Sequence, residues 1–279
     1  MNVMETSTLI FAGSLVAGFL GALTGLGGGV VIIPLLTLGF GVDIRYAIGA
    51  SLVSVIATSS GAAAAYVKEG FTSNRIGMFL QVATTLGALA GAAIATTVST
   101  RFIAIIFGLV LIYSAFLSSR GKKPTAEDDK PDRLARYLKL NGAYPDSGGS
   151  FVYYRVRGVP AGFSLMAVAG ALSGLLGIGS GAVKVLAMDK AMRLPFKVST
   201  TTSNLMIGVT AAASAGVYLS RGYIDPALSM SVMLGVLTGS LLGARVLVNA
   251  NVGVLRYVFA TVILALGLEM LYNGMVGGI

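Results

Sequence analysis

Charged residues are missing from long stretches of this chain. Positions 6–42, 46–67, 76–100, 102–119, 158–183, 198–220 and 226–244 hold no Asp, Glu, Lys or Arg. Inside them the apolar residues run on continuously, as in Phe102-Ile-Ala-Ile-Ile-Phe-Gly-Leu-Val-Leu-Ile112. A helix needs about 20 apolar residues to cross a bilayer, whereas a barrel strand alternates apolar and polar over about ten. The pattern therefore predicts membrane helices over 7–24, 28–40, 46–67, 75–97 and 101–119, and again over 159–176, 180–192, 198–219, 226–248 and 253–273. As one helix, 6–42 would be about 55 Å long at 1.5 Å per residue, too long for one crossing of a core about 30 Å thick. The helical pattern is weakest from Gly25 to Gly29, where a break or turn-back is expected, and Pro34 and Gly39 add interruptions.

The same pattern occurs twice, 152 residues apart and without a gap. Gly25, Gly27, Gly29 and Val31 fall on Gly177, Gly179, Gly181 and Val183; Ser51 on Ser203, Thr58 on Thr210, Tyr66 on Tyr218, and Gly87 and Gly91 on Gly239 and Gly243. The expected fold is all-α: a polytopic helical membrane protein of two repeats with glycine-broken or re-entrant helices. Residues 1–119 form the first repeat, 120–157 a linker and 158–279 the second. Arg45 and Lys197 occupy matching positions, so loop charge leaves both a parallel and an inverted pair open, with seven to nine crossings expected. Broken helices in matched halves are the pattern of secondary transporters, whose substrate site lies where the breaks meet near mid-membrane.

Composition narrows the chemistry. Charged residues make up 11% of the chain against about 25% in a soluble domain, which rules out an ordinary water-facing surface. Cysteine and histidine are both absent, so thiolate chemistry, disulfides, haem and the usual zinc sites are excluded, and no cofactor is expected. No HExxH, Walker A or Ser/His/Asp set is present, and the chain is read as a non-enzyme. The net charge of +9 is not a nucleic-acid signal here. Nine of the twenty Lys and Arg residues lie in 120–157, which places that linker in the cytoplasm by the positive-inside bias. Its second half has the composition of a short hairpin. The first apolar run has no basic leader and is read as a retained helix.

Three groups carry the functional argument. The glycine turns, Gly27, Gly28 and Gly29 with Gly179, Ser180 and Gly181, are each followed by a helix, so backbone amides are available to an anion; close helix packing is the structural alternative. Lys184 lies just beyond an uncharged run, where a lysine is costly, and its counterpart is Ile32; it either meets an anion, snorkels to the interface or pairs with Asp189. Ser51, Thr202, Ser203 and Asn204 belong to polar clusters that line a path or bond back to their own helices. Gly87-xxx-Gly91 and Gly235-xxx-Gly239-xxx-Gly243 read as packing, and Asp225-Pro226 as a helix start with Asn74 playing a similar part in the other half. Glu269 is read as an interfacial carboxylate, with titration against a coupling proton as the alternative.

The halves GALTGLGGGVVIIPLL and GALSGLLGIGSGAVKVLAMD, followed by AIGASL, STTTSNLMIGVTAAASA and GYIDP, closely resemble the TauE/SafE family of sulfite-exporter-like permeases. The resemblance covers 7–119 and 158–273. It implies a multi-helix permease of the inner membrane that moves small sulfur-containing anions such as sulfite or organosulfonates like sulfoacetate. Its motif positions fall on Gly25, Gly27, Gly28, Gly29, Gly177, Gly179, Gly181 and Lys184, and on Ala50-Ser51-Leu52 and Thr202-Ser203-Asn204. Ser180 departs from a third consecutive glycine, and Leu186 stands opposite Pro34, which leaves the geometry of the second turn open. The partners expected are a small anion, the lipid bilayer and a coupling proton, which could ride on the substrate. Export is the expected direction. The competing readings are an anion channel, a carrier of another small carboxylate or oxyanion, and a membrane scaffold.

Overall fold

The computed structural model describes residues 3–24, 28–68, 72–119, 132–145, 151–247 and 252–277. Apolar runs become helices at the predicted places, because a backbone surrounded by hydrocarbon can satisfy its N–H and C=O groups only within a helix or a closed barrel. In the first half these are α1 (Val3–Thr24), the short α2 (Gly29–Pro34), α3 (Ile44–Lys68), α4 (Asn74–Ala95) and α5 (Thr100–Ser119). The linker holds α6 (Arg133–Tyr137) and an antiparallel hairpin of β1 (Gly142–Pro145) and β2 (Phe151–Tyr154). The second half holds α7 (Val159–Leu176), the short α8 (Gly181–Leu186), α9 (Phe196–Ser220), α10 (Pro226–Leu247) and α11 (Val252–Val276). Starts of α3 and α9, of α4 and α10, and of α5 and α11 are each 152 positions apart.

Both short helices widen into a π-turn, Leu35–Gly39 after α2 and Ala187–Ala191 after α8. Pro34 was expected to interrupt the helix. It is the last residue of α2, and the π-turn begins directly after it; in the second half the same π-turn follows Leu186.

Close glycine contacts give the helix directions. Gly87 and Gly91 of α4 abut Ala167 and Ala171 of α7, and Gly235 and Gly239 of α10 abut Phe11 and Leu15 of α1, so each of these pairs runs parallel. Gly108 of α5 meets Gly267 and Leu271 of α11, while Gly274 meets Ala104 and Ile105, so that pair is antiparallel. Helices α3 and α9 are antiparallel too: Gly208 meets Ser59, and Gly49 meets Tyr223 just beyond α9. Helices α3 and α9, and likewise α5 and α11, thus run in opposite directions. The start of α1 and the end of α11 lie on the face opposite the linker. The glycine ladders act as packing surfaces, where the missing Cβ lets backbones approach.

The bundle is apolar on both sides. On α4, Ile76, Leu80, Ala83, Ala88 and Ala92 are buried, while Met78, Val82 and Leu86 are exposed. A helix that is greasy on its outer face as well suits lipid rather than water. Among the described residues, α4 and α7 are each long and apolar enough to cross a bilayer.

The linker packs back on the bundle. Arg75 Nη1 donates to the Lys139 carbonyl at 2.9 Å, and the Arg157 N–H donates to the Met192 carbonyl at 3.1 Å. Tyr154, the last residue of β2, is buried, and burial pushes its phenol above the ordinary value against a hydrogen bond with Ser73. Helix α10 begins as read, with Asp225 Oδ1 accepting from the Leu228 N–H at 2.7 Å. Asn74 does not play that part: Ser73 occupies the cap position of α4, without a side-chain cap bond, and Asn74 is the first helical residue.

Candidate functional site

The site begins at the two helix breaks. Helix α7 ends at Gly177, whose φ of +65° belongs to the left-handed region that glycine enters freely. Gly179 (φ +69°) and Ser180 (φ +43°) continue the turn. Ser180 is held in this unusual conformation by its own hydroxyl, which donates to the Ala169 carbonyl at 2.6 Å. The departure from glycine is therefore accommodated by a bond back to α7. In the first half, Gly28 has ordinary helical angles, φ −64° and ψ −23°, so the two turns differ in shape. Gly25 and Gly27 lie outside the described residues.

The turns meet. The Ser51 hydroxyl donates to the Gly177 carbonyl at 2.9 Å, and a Cβ placed on Gly29 would lie 2.5 Å from Ser51 Oγ and 3.2 Å from that same carbonyl. Its counterpart Ser203 donates to the Gly181 carbonyl at 3.3 Å. Each serine thus sits against the glycine that opens the short helix of its own half. The described glycines of both turns are closely packed. Gly177 packs on Ile48, Gly179 on Ile207 and Val55, Gly181 on Ile207 and Gly28 on Val236. Ser51, Ser180 and Ser203 are all buried.

The other polar candidates separate into two kinds. Ser54, Thr58, Ser59, Ser60 and Thr201 bond back to their own helices, the common use of a hydroxyl in a membrane helix. Thr202 faces the linker side, where its Oγ1 accepts from the Ser73 N–H at 3.1 Å. Asn204 is half-buried on α9. A cavity of about 240 Å³ lies where the hairpin meets the start of α4, lined by Thr72, Ser73, Arg75, Lys139 and Tyr154 among others.

Lys184 decides the electrostatics. It is fully buried, which excludes snorkelling to an interface, and its partner is Thr210 Oγ1 at 2.9 Å rather than Asp189. Gln81 Nε2, from α4, donates to the same Thr210 oxygen at 3.1 Å and to Thr85 Oγ1 at 2.8 Å. Thr210 donates in turn to the Met206 carbonyl at 2.7 Å. Among the described residues the hydrogen-bond partner of Lys184 is neutral, and a lysine in such a low-dielectric setting is costly to charge unless an anion joins it. Gln81 was not anticipated, although it is the chain's single glutamine and sits in the uncharged run 76–100. On the face opposite the linker, Arg45 ties three segments together. Its Nη2 donates to the Val98 carbonyl at 2.7 Å and its Nη1 to Tyr223 Oη at 3.3 Å, with the guanidinium 5.4 Å from the Tyr223 ring centre. Glu269 is exposed.

A bundle of apolar helices with a lysine buried beside a glycine turn suits a membrane transporter. The model of the family Sulfite exporter TauE/SafE matches residues 10–270, and the chain belongs to that family. It is 26% identical over 268 residues to the "Probable membrane transporter protein YunE" of Bacillus subtilis, covering 93% of this chain and 95% of that one. A "Probable membrane transporter protein" of Xylella fastidiosa is 25% identical over 276 residues, covering 98% and 97%. The "Probable membrane transporter protein MJ0441" of Methanocaldococcus jannaschii is 26% identical over 280 residues, covering 94% of each chain. No solved structure matches.

Proposed function

We propose that this chain is a secondary carrier of small sulfur-containing anions, sulfite or organosulfonates such as sulfoacetate, across the cytoplasmic membrane, with export its working direction. The single observation behind this reading is Lys184: a fully buried cation, beside the second glycine turn, that hydrogen-bonds a threonine. An anion arriving between Gly28-Gly29 and Gly179-Ser180-Gly181 brings the charge that this lysine lacks, and Ser51 and Ser203 offer hydroxyls from either half. Thr202 and Asn204 belong to the linker-side approach. The basic linker lies in the cytoplasm.

Helix direction favours a carrier over a channel. A channel needs a continuous path, whereas a carrier closes around its site and opens to one face at a time, and inverted halves suit that exchange. A proton is the proposed coupling ion, carried by the substrate.

The test is uptake of labelled sulfite and sulfoacetate into proteoliposomes, with thiosulfate and sulfate as competitors. Expected are saturable uptake, counterflow, dependence on an imposed pH gradient, and at least a tenfold loss in Lys184→Gln. Unitary currents in a bilayer recording would establish a channel instead. Wild-type rate and affinity in Lys184→Gln would remove the lysine from the site, and indifference to the gradient would reject the proton.

A further inference from the structure

We infer that the site around Lys184 accepts anions of net charge −1 that present two acceptor oxygens, and that Gln81 is a positioning residue for this preference. The inference rests on the reading of the chain as an anion carrier and names the class of anion.

A lysine ammonium has three N–H donors. One of those on Lys184 goes to Thr210 Oγ1. That oxygen cannot take another, because it already accepts from Gln81 Nε2 and gives its own proton to the Met206 carbonyl. Two donors on Lys184 are left without an acceptor among the described residues, on a side chain with no exposed surface. Both the charge and the two idle donors match one face of a sulfonate, a hydrogen sulfite or a carboxylate, with two oxygens sharing one negative charge.

Charge fixes the preference. The groups joined to Lys184 through Thr210, namely Gln81, Thr85 and the Met206 carbonyl, are all neutral. A monoanion brings the buried site to net zero. A dianion leaves it at −1 and a neutral molecule at +1, and both are penalised in a low-dielectric interior. The positions equivalent to Lys184 and Gln81 are Ile32 and Met233, so neither group is repeated at its matching position.

Gln81 matters in two ways. From α4 it fills the second lone pair of Thr210 and so fixes the oxygen that holds the Lys184 ammonium in place. As an amide it adds no charge; a carboxylate at the same place would neutralise the lysine internally.

The test uses the full chain in detergent and three probes built on tetrahedral sulfur: dimethyl sulfone (charge 0), methanesulfonate (−1) and sulfate (−2). Binding is read as ligand-dependent thermal stabilisation at matched ionic strength. Methanesulfonate is expected to bind at least tenfold more tightly than sulfate, with dimethyl sulfone giving no shift. Gln81→Glu is expected to lose methanesulfonate at least tenfold while melting no lower than wild type in the absence of ligand. Gln81→Leu serves if the charged variant does not fold. It is expected to weaken methanesulfonate several-fold and keep the order of −1 over −2, which a merely structural role for the amide would not predict. Sulfate binding as tightly as methanesulfonate, or wild-type methanesulfonate binding in both variants, overturns the inference. These failures differ from that of the carrier reading. If sulfate wins and its binding still requires Lys184, the anion site stands and only the charge rule falls. If no anion of either charge binds, both fall.

Discussion

Alanine at Gly177 tests whether the meeting of the two turns is as tight as described, and the molecule supplies its own controls. Two costs are expected. A non-glycine residue in the left-handed region costs about 1–2 kcal/mol. The added Cβ would lie 2.7 Å from Ile48 Cγ2 and 3.2 Å from the Ile48 carbonyl oxygen, and overpacking of this kind costs about 1–3 kcal/mol. Gly177→Ala should therefore lose about 2–5 kcal/mol. Gly222 has φ +76° with nothing within 4 Å of a new Cβ, so Gly222→Ala carries only the backbone cost of about 1–2 kcal/mol. Gly216, within α9, has ordinary helical angles and open space, so Gly216→Ala should gain about 0.5–1 kcal/mol from helix propensity. The assay is equilibrium unfolding of the three variants and wild type in one detergent. The expected order of stability is Gly216→Ala, wild type, Gly222→Ala, Gly177→Ala. If Gly177→Ala proves no less stable than Gly222→Ala, the turn is not packed against α3, and the account of its close contact with Ile48 fails with it.

Two further outcomes follow from individual contacts. Ser180→Gly and Ser180→Ala both lose the hydroxyl bond to Ala169, but only alanine keeps the left-handed strain, so the glycine variant should be the more stable by about 1–2 kcal/mol in the same unfolding assay; equal stabilities would show that Ser180 is unstrained. Arg45→Lys retains the charge but cannot span the Val98 carbonyl and Tyr223 together, and should lose about 1–3 kcal/mol, with an unchanged melting temperature counting against the tie.

The helices were legible because their causes are local. Apolar run length and the absence of charge set where they lie, and the expected 46–67 and 198–219 fall within α3, Ile44–Lys68, and α9, Phe196–Ser220. The break in the second half was legible for the same reason, since α7 gives way at Gly177 to a left-handed turn before α8 opens at Gly181, while Gly25–Gly27 of the first half lie outside the described residues. Lys184 was noticeable because a charge in such surroundings is expensive wherever it points. Gln81 was overlooked because an amide is tolerated almost anywhere on a helix, and nothing along the chain says that it reaches Thr210 on α9. The serine and threonine clusters were ambiguous in the same way. A hydroxyl can bond to its own helix or across to another, and only geometry separates Thr58, which bonds back, from Ser51, which crosses to Gly177.

Read alone, the amino-acid order determined an all-helical membrane protein, its broken segments, the 152-residue recurrence and one misplaced cation, because each is a property of neighbouring residues and the solvent they require. The direction of each helix, the packing of the turns on Ile48, Val55 and Ile207, and the joining of Lys184 to Gln81 through a shared threonine belong to the folded bundle. Those depend on which helix lies beside which, and that is set by side-chain packing between segments more than a hundred residues apart, where periodicity carries no information.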